Sequence, residues 1–435
     1  MDKMKRILTD PTAKSSLKNM LLRPFGMLLA VVYTPLLLDY LGEEANGVWA
    51  TALSVITWIN YCDLGIGNGL RNLLARELAE DDYCNAQKSI STAYVVLTGI
   101  AILLLLLMLI PTFLLDWHSV LNTNLNVRTM LVITEIYISL NFVLALSNSI
   151  LYALQKAEKV SLRSCLVQII NIIALFILNR VEEGNLNHMA ILFGSSTAVV
   201  YLFNTVGIFR QNKMLAPSLI AFQKEKVKSI VKVGVQFFII QLTSVLTISS
   251  QNWIVSNVFG PSEVTPINTV TNVFAAIYSI FGALLIPMWS KTTDAIAKKE
   301  YAWVRKTMRN VRYIAYAFIP VLIVVAVLFE DISYIWLGRR LTYQSGVIGT
   351  TCLFYILNIE NLVFTQFYFG IGDVTPYMWI TIIEAIVIIP LSYYLATIFG
   401  VAGVKLASTI MLAVSGIALP ILLYRKLKQL EMCKG

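Results

Sequence analysis

Charge is what this chain has little of: Asp, Glu, Lys and Arg make up 14% of its 435 residues, against about 25% in an average soluble domain. That scarcity excludes a solvated globular surface of ordinary size. Histidine is scarcer still, with only two residues, His118 and His188. Neither has a neighbouring metal motif, so imidazole-based metal or acid/base chemistry has no evident foundation. The five cysteines, Cys62, Cys84, Cys165, Cys352 and Cys433, are scattered without the spacing of a disulfide framework or a metal site, and read as small packing residues. A cleavable signal is also missing, because residues 1–19 are basic and polar and lack the apolar stretch such a signal needs.

What the chain has instead is apolar length. Hydrophobic residues make up 57% of it, and the stretch from Ala93 to Leu115 runs without a charge. Such a run is long enough to cross a bilayer as a helix. Comparable runs place about twelve spans near 20–41, 45–68, 89–115, 128–152, 163–180, 188–209, 230–258, 264–289, 313–337, 345–369, 376–398 and 403–424. Of the 34 Lys and Arg residues, 29 fall on the segments that share the side of the N-terminus. Four, Arg128, Arg180, Arg339 and Arg340, fall opposite, and Lys405 lies within or at the outer end of the last span. The positive-inside rule then puts both termini in the cytoplasm. The net charge of +9 therefore traces topology, and no nucleic-acid partner is implied.

An internal repeat organises the spans. Leu41-Gly-Glu-Glu-Ala-Asn-Gly-Val-Trp-Ala-Thr51-Ala-Leu-Ser-Val55 is similar to Phe259-Gly-Pro-Ser-Glu-Val-Thr-Pro-Ile-Asn-Thr269-Val-Thr-Asn-Val273 at an offset of 218 residues. Both join the first and second spans of a six-span half, and six spans return the chain to its starting side, so the halves are parallel repeats. The expected fold is all-α and integral to the membrane, with two six-helix lobes around a central cavity. Residues 1–212 form the N-lobe with spans 1–6, 213–229 a cytoplasmic linker, and 230–435 the C-lobe with spans 7–12 and a basic tail.

The segments Pro35-Leu-Leu-Leu-Asp-Tyr-Leu-Gly42, Gly47-Val-Trp-Ala50 and Trp58-Ile-Asn-Tyr-Cys-Asp-Leu-Gly-Ile-Gly-Asn-Gly-Leu-Arg-Asn72 resemble the N-terminal signature of bacterial polysaccharide flippases of the Wzx type. Phe259-Gly-Pro-Ser-Glu-Val and Gly400-Val-Ala-Gly-Val404 are weaker echoes. These flippases belong to the MOP exporter superfamily, together with the MATE drug exporters and the lipid II flippase. The resemblance implies alternating-access export of undecaprenyl-pyrophosphate-linked oligosaccharide repeat units across the inner membrane, for O-antigen, capsule or exopolysaccharide. It implies membrane lipids, a polysaccharide polymerase and chain-length machinery as partners, and a monomer with no cofactor. The sugar is not identified, and the coupling ion is open between H⁺ and Na⁺.

Such a substrate needs cations for its phosphates, polar groups for its sugars and a hydrated path. Arg23 is one cation candidate, since Pro24 disfavours helical geometry there and a guanidinium can fork onto a phosphate. Lys405 is the second; for both, snorkelling to the membrane surface is the alternative. Gln251 and Asn252, on the polar seventh span, are candidates for sugar hydroxyls or for interhelical hydrogen bonds. Glu360 and Glu384 sit at similar depth on neighbouring spans, where two carboxylates would share a proton or Na⁺. With Glu135 they are the ion-coupling candidates, hydrogen-bonded acids between helices being the alternative. Asp63 with Gly65, Gly67, Gly69 and Arg71 reads as a helix end and turn, because no strand or Gly-Lys-Ser/Thr accompanies the glycines. The aromatics Tyr278, Tyr355, Trp253 and Trp379 divide, in a way the sequence leaves open, between sugar stacking and interfacial belts.

Two other functions fit less well. A MATE-like cation-coupled multidrug exporter would share the architecture. A polymerase or ligase would need catalytic residues on a substantial outer loop, and the outer loops here are short.

Overall fold

A computed structural model describes residues 11–59, 65–117, 125–260, 263–337 and 343–432. Among these residues there is no strand. Eleven helical stretches are long and apolar enough to cross a bilayer. The chain divides into two compact units, Met1–Phe238 and Ile239–Gly435.

The first unit contains α1 (Pro11–Ile59), α2 (Ile66–Ala79), α3 (Tyr83–Leu114), α4 (Arg128–Leu144), α5 (Leu146–Ala153), α6 (Ala157–Val181), α7 (Leu186–Gln211) and the start of α8 (Lys224–Phe259). In the second, the rest of α8 is followed by α9 (Val264–Ala297), α10 (Tyr301–Val327), α11 (Phe329–Leu337), α12 (Val347–Ile371), α13 (Thr375–Phe399) and α14 (Val401–Met432). The expected second span, 45–68, falls on the part of α1 beyond Gly42, on residues 60–64 outside the described set, and on the first turn of α2. Asp63, Tyr61 and Cys62 of the signature, together with His118, Arg339, Arg340 and Cys433, also lie outside the described residues.

Helix faces follow the logic of a protein whose solvent is lipid. On α3 the buried positions Ala86, Ile90, Ala93, Leu97 and Ala101 recur every three or four residues, while Leu103, Leu106, Leu107 and Ile110 are exposed. Small side chains let backbones approach, and large apolar ones face a medium as apolar as themselves. The glycines after the signature serve the same end. A Cβ on Gly65 would lie 2.0 Å from the Gly234 carbonyl oxygen, and one on Gly69 2.6 Å from that of Ile230, so α2 and α8 cross at backbone contact.

The internal repeat is visible in the backbone. α6 and α13 both run for 25 residues with bounds 218 positions apart, and α2 and α9 end at Ala79 and Ala297, the same distance apart. Left-handed backbone recurs at the same offset, at Gly42 and Gly260 and at Asp81 and Lys299. Asp81 and Lys299 are not glycine, so those two turns are held by their surroundings, whereas Gly42 and Gly260 carry the residue type that this conformation favours.

One expectation is corrected at α1. Arg23 sits inside continuous helix, and the break falls at Gly42 (φ 73°, ψ 173°). Pro24 and Pro35 are both absorbed within α1, as Pro287, Pro320 and Pro390 are within α9, α10 and α13. A membrane bundle tolerates such residues because neighbouring helices restore the lost backbone partners.

The loop between α6 and α7 is tied back to α1. The Tyr40 hydroxyl donates to the Glu182 carboxylate at 2.6 Å, and His188 Nδ1 lies 2.7 Å from the same oxygen. Gly184 packs so closely that a Cβ there would meet the Tyr40 carbonyl oxygen at 2.0 Å. Hydrogen bonds from Tyr40 and then from His188 hold the Glu182 carboxyl below its ordinary range.

Candidate functional site: a polar cavity in the second unit

Within the second unit, α8, α9, α12, α13 and α14 enclose a cavity of about 470 Å³. That is within the range of small-ligand sites, about 300–1,000 Å³. Its lining follows helical periodicity. α14 contributes Lys405, Ser408, Leu412 and Ser415, and α13 contributes Tyr377, Thr381 and Glu384. On α8 the facing residues are Thr243, Thr247, Gln251 and Asn252, and on α12 they are Tyr355, Asn358, Asn361 and Thr365. Residues three or four apart share one helix face, so each helix offers the cavity a stripe of amides and hydroxyls.

Charge sits at the two ends of this space. Lys405 is 3% exposed, so it does not snorkel to a surface. Its ammonium lies 4.4 Å from the centre of the Phe354 ring and 5.7 Å from that of Tyr355. Among the described residues no carboxylate forms an ion pair with it. Glu384 accepts a hydrogen bond from Ser415. Ser415 is ten residues along α14 from Lys405, which at 1.5 Å per residue is about 15 Å. Cation and carboxyl are therefore held apart by a run of neutral polar groups.

Between them, the Gln251 amide donates to the Ser408 hydroxyl at 2.7 Å. Asn361 is buried with its carbonyl oxygen lacking a hydrogen-bond partner. A buried acceptor without a partner costs free energy. The rings of Tyr355 and Tyr278 pack 5.9 Å apart at the wall. Aromatic faces beside amides and hydroxyls suit ligands that carry C–H faces and hydroxyl edges together.

The sequence-predicted residues are only partly gathered here. Gln251, Asn252, Glu384 and Lys405 line this one cavity. Glu360 does not: it pairs with Arg312 of α10 at 2.7 Å, and so the two acids of α12 and α13 have separate partners. Depth along a helix was legible in the sequence, but the direction each residue faces depends on packing. Glu135 is buried in the first unit and accepts from Thr112 of α3, as a hydrogen-bonded acid between helices. Arg23 is exposed on α1. Trp253 and Trp379 are each 58% exposed, away from the polar lining, whereas Tyr278 and Tyr355 face it.

Sequence reasoning missed Asn358, Asn361 and Thr365 on α12, although amides and hydroxyls every three or four residues were a readable signal. It also missed a cation buried in the first unit. Arg163 is 1% exposed, donates to the Ser147 hydroxyl at 2.9 Å and stacks 4.1 Å over the Tyr201 ring. Counted as a topology-setting charge, it stands six residues inside α6, and that depth was the available sign.

The family described as "Polysaccharide biosynthesis protein" matches residues 13–293, more than half of the chain. The chain belongs to that family. Two relatives share its length: a putative O-antigen export protein of Yersinia pseudotuberculosis, 22% identical with 85% of each chain covered, and a putative O-antigen transporter of Salmonella typhimurium, 19% identical with 87% of this chain and 88% of that one covered. In structure it is similar to an outward-facing multidrug resistance MATE transporter of the MOP superfamily, with a TM-score of 0.80, 17% identity, and 98% and 97% of the two chains covered. A MOP superfamily transporter from Pyrococcus furiosus gives 0.79 at 16% identity with 98% of each covered. This member of the polysaccharide biosynthesis family has a MATE-like fold. The match over 13–293 includes most of the first unit and only the beginning of the second, so all of the cavity lining on α12, α13 and α14 lies beyond it.

Proposed function

We propose that this protein is a transporter, not an enzyme, and that it moves undecaprenyl-pyrophosphate-linked oligosaccharide repeat units across the bacterial inner membrane by alternating access. Its basic ends and both termini face the cytoplasm in this reading. The observation that carries it is Lys405: a buried ammonium, without a carboxylate among the described residues, at one end of a cavity of amides, hydroxyls and aromatic rings. Burying a cation without a counter-charge costs several kcal/mol, and an anionic ligand offsets that cost. Phosphate or an acidic sugar supplies the charge, and sugar hydroxyls reach Gln251 and Asn252.

Arg23, exposed on α1, is assigned the first attraction of the pyrophosphate. Of the three acids, Glu384 is the coupling candidate, because it lines the cavity and its carboxyl can exchange H⁺ or Na⁺ with it. Glu360 and Glu135 are assigned to packing by their helix partners. The rival reading, cation-coupled drug export, is supported by the MATE-like fold and by Glu384 but meets Lys405, which repels a cationic drug.

The deciding experiment deletes the gene and restores wild type, Arg23→Ala or Lys405→Met. Loss of surface polymer with precursor trapped in the cytoplasmic leaflet, rescued by wild type and not by Lys405→Met, is the expected result. Rescue by Arg23→Ala would return that residue to surface snorkelling. Normal polymer with altered drug tolerance would overturn the flippase reading.

A further inference from the structure

A second, smaller pocket lies in the first unit, where the last turns of α7 meet the start of α6. It measures about 240 Å³ and is lined by Lys156, Lys159, Asn204, Gln211 and Asn212 together with the apolar Phe203 and its neighbours. The volume is below the usual range for drug-sized ligands, so the pocket suits a head group and not an oligosaccharide.

Its charge is of one sign. Lys156 stands at the N-cap position of α6, a helix of 25 residues whose dipole adds partial positive charge at that end. Lys159 is one turn further on, and neither lysine takes part in an ion pair among the described residues. Glu158, between them in sequence, is engaged by the Ser15 hydroxyl of α1. Arg163 continues the same face one turn deeper, since 156, 159 and 163 follow the i, i+3, i+7 spacing. Its guanidinium is stacked on Tyr201, which precedes the pocket residue Asn204 by one turn of α7.

The pocket is also open to an apolar flank. Phe203 is 75% exposed, and Val199, one turn away on α7, is 47% exposed. A cationic recess beside an exposed apolar strip matches a molecule with an anionic head and hydrocarbon tails. Basic pockets between transmembrane helices hold such head groups.

We propose that this recess binds the phosphoryl head group of an anionic membrane phospholipid, with Lys156 and Lys159 on the phosphate and the acyl chains along Phe203 and Val199. On the topology proposed above the lipid belongs to the cytoplasmic leaflet, but binding itself does not depend on transport, so either reading can fail alone. A lysine near an anionic lipid surface accounts for about a fivefold change in affinity.

The test is native mass spectrometry and thermal melting of the full purified chain with phosphatidylglycerol, phosphatidylcholine, inorganic phosphate and a polyprenyl diphosphate as separate probes. Wild type is expected to retain and be stabilised by phosphatidylglycerol and not by phosphatidylcholine. The double variant Lys156→Gln, Lys159→Gln is expected to bind it about 25-fold more weakly, each single variant about fivefold, and the double Lys→Arg variant normally. Equal binding of the two phospholipids, or unchanged binding in the single glutamine variants, would overturn the proposal. Displacement of phosphatidylglycerol by inorganic phosphate would overturn it in favour of a free-anion site, and displacement by polyprenyl diphosphate in favour of a substrate site.

Discussion

The Lys405 ammonium lies 4.4 Å from the centre of the Phe354 ring, held by an aromatic face where a carboxylate would ordinarily stand. An attraction of this kind is worth about 2 kcal/mol when desolvated, less than the several kcal/mol that burial of the charge costs. Lys405→Met is therefore expected to leave the melting temperature unchanged or raised while polymer export falls at least about tenfold. A variant that melts well below wild type would mark the lysine as a structural residue.

Glu384 and Glu360 are expected to separate by experiment. Glu384→Gln keeps the shape of the Ser415 contact, so the fold is retained while the dependence of transport on H⁺ or Na⁺ flattens. Glu360→Gln removes the partner of Arg312, at a cost of about 1–2 kcal/mol. Its ion dependence stays that of wild type. A double-mutant cycle with Arg312→Gln, read by thermal melting, checks the pair.

Gly403→Ala is expected to destabilise the second unit by about 1–3 kcal/mol. A Cβ there would lie 2.0 Å from the carbonyl oxygen of Leu395, where α13 turns into α14. Gly400, at φ +62°, makes the turn itself. Loss of yield with normal activity per folded molecule, measured after purification, is the signature of this role.

The loop at Glu182 has a defined pH response. The Tyr40 and His188 hydrogen bonds place its folded carboxyl below the ordinary value of 4.5. A group depressed on folding contributes stability above its unfolded pKa, and loses it as pH falls through the lower folded value. The difference in melting temperature between wild type and Glu182→Gln is thus expected to be constant above about pH 5 and to shrink on acidification. A difference that grows on acidification would contradict the assignment.

The resemblance over Gly400-Val-Ala-Gly-Val404 and the repeat around Gly42 and Gly260 acquire physical reasons in the structure. Left-handed turns and close backbone approach restrict those positions to glycine or favour it. Such demands are local and leave a mark on the residue type. The pairing of Glu360 with Arg312 left no such mark, because the two are 48 residues apart and meet through the packing of α10 on α12.

The sequence by itself determined that the chain carries many apolar helices of membrane-spanning length, that its halves share a repeat and where along the chain the basic residues gather, because hydropathy, helix length and charge are properties of short segments. It also marked Lys405, Glu384, Gln251 and Asn252 as polar groups in apolar surroundings. Only the tertiary structure decided that these four face one cavity while Glu360 turns to Arg312, and that Arg163 is buried and Arg23 exposed. The direction a side chain faces around a helix that is apolar on every side is set by its packed neighbours, and those come from distant parts of the chain.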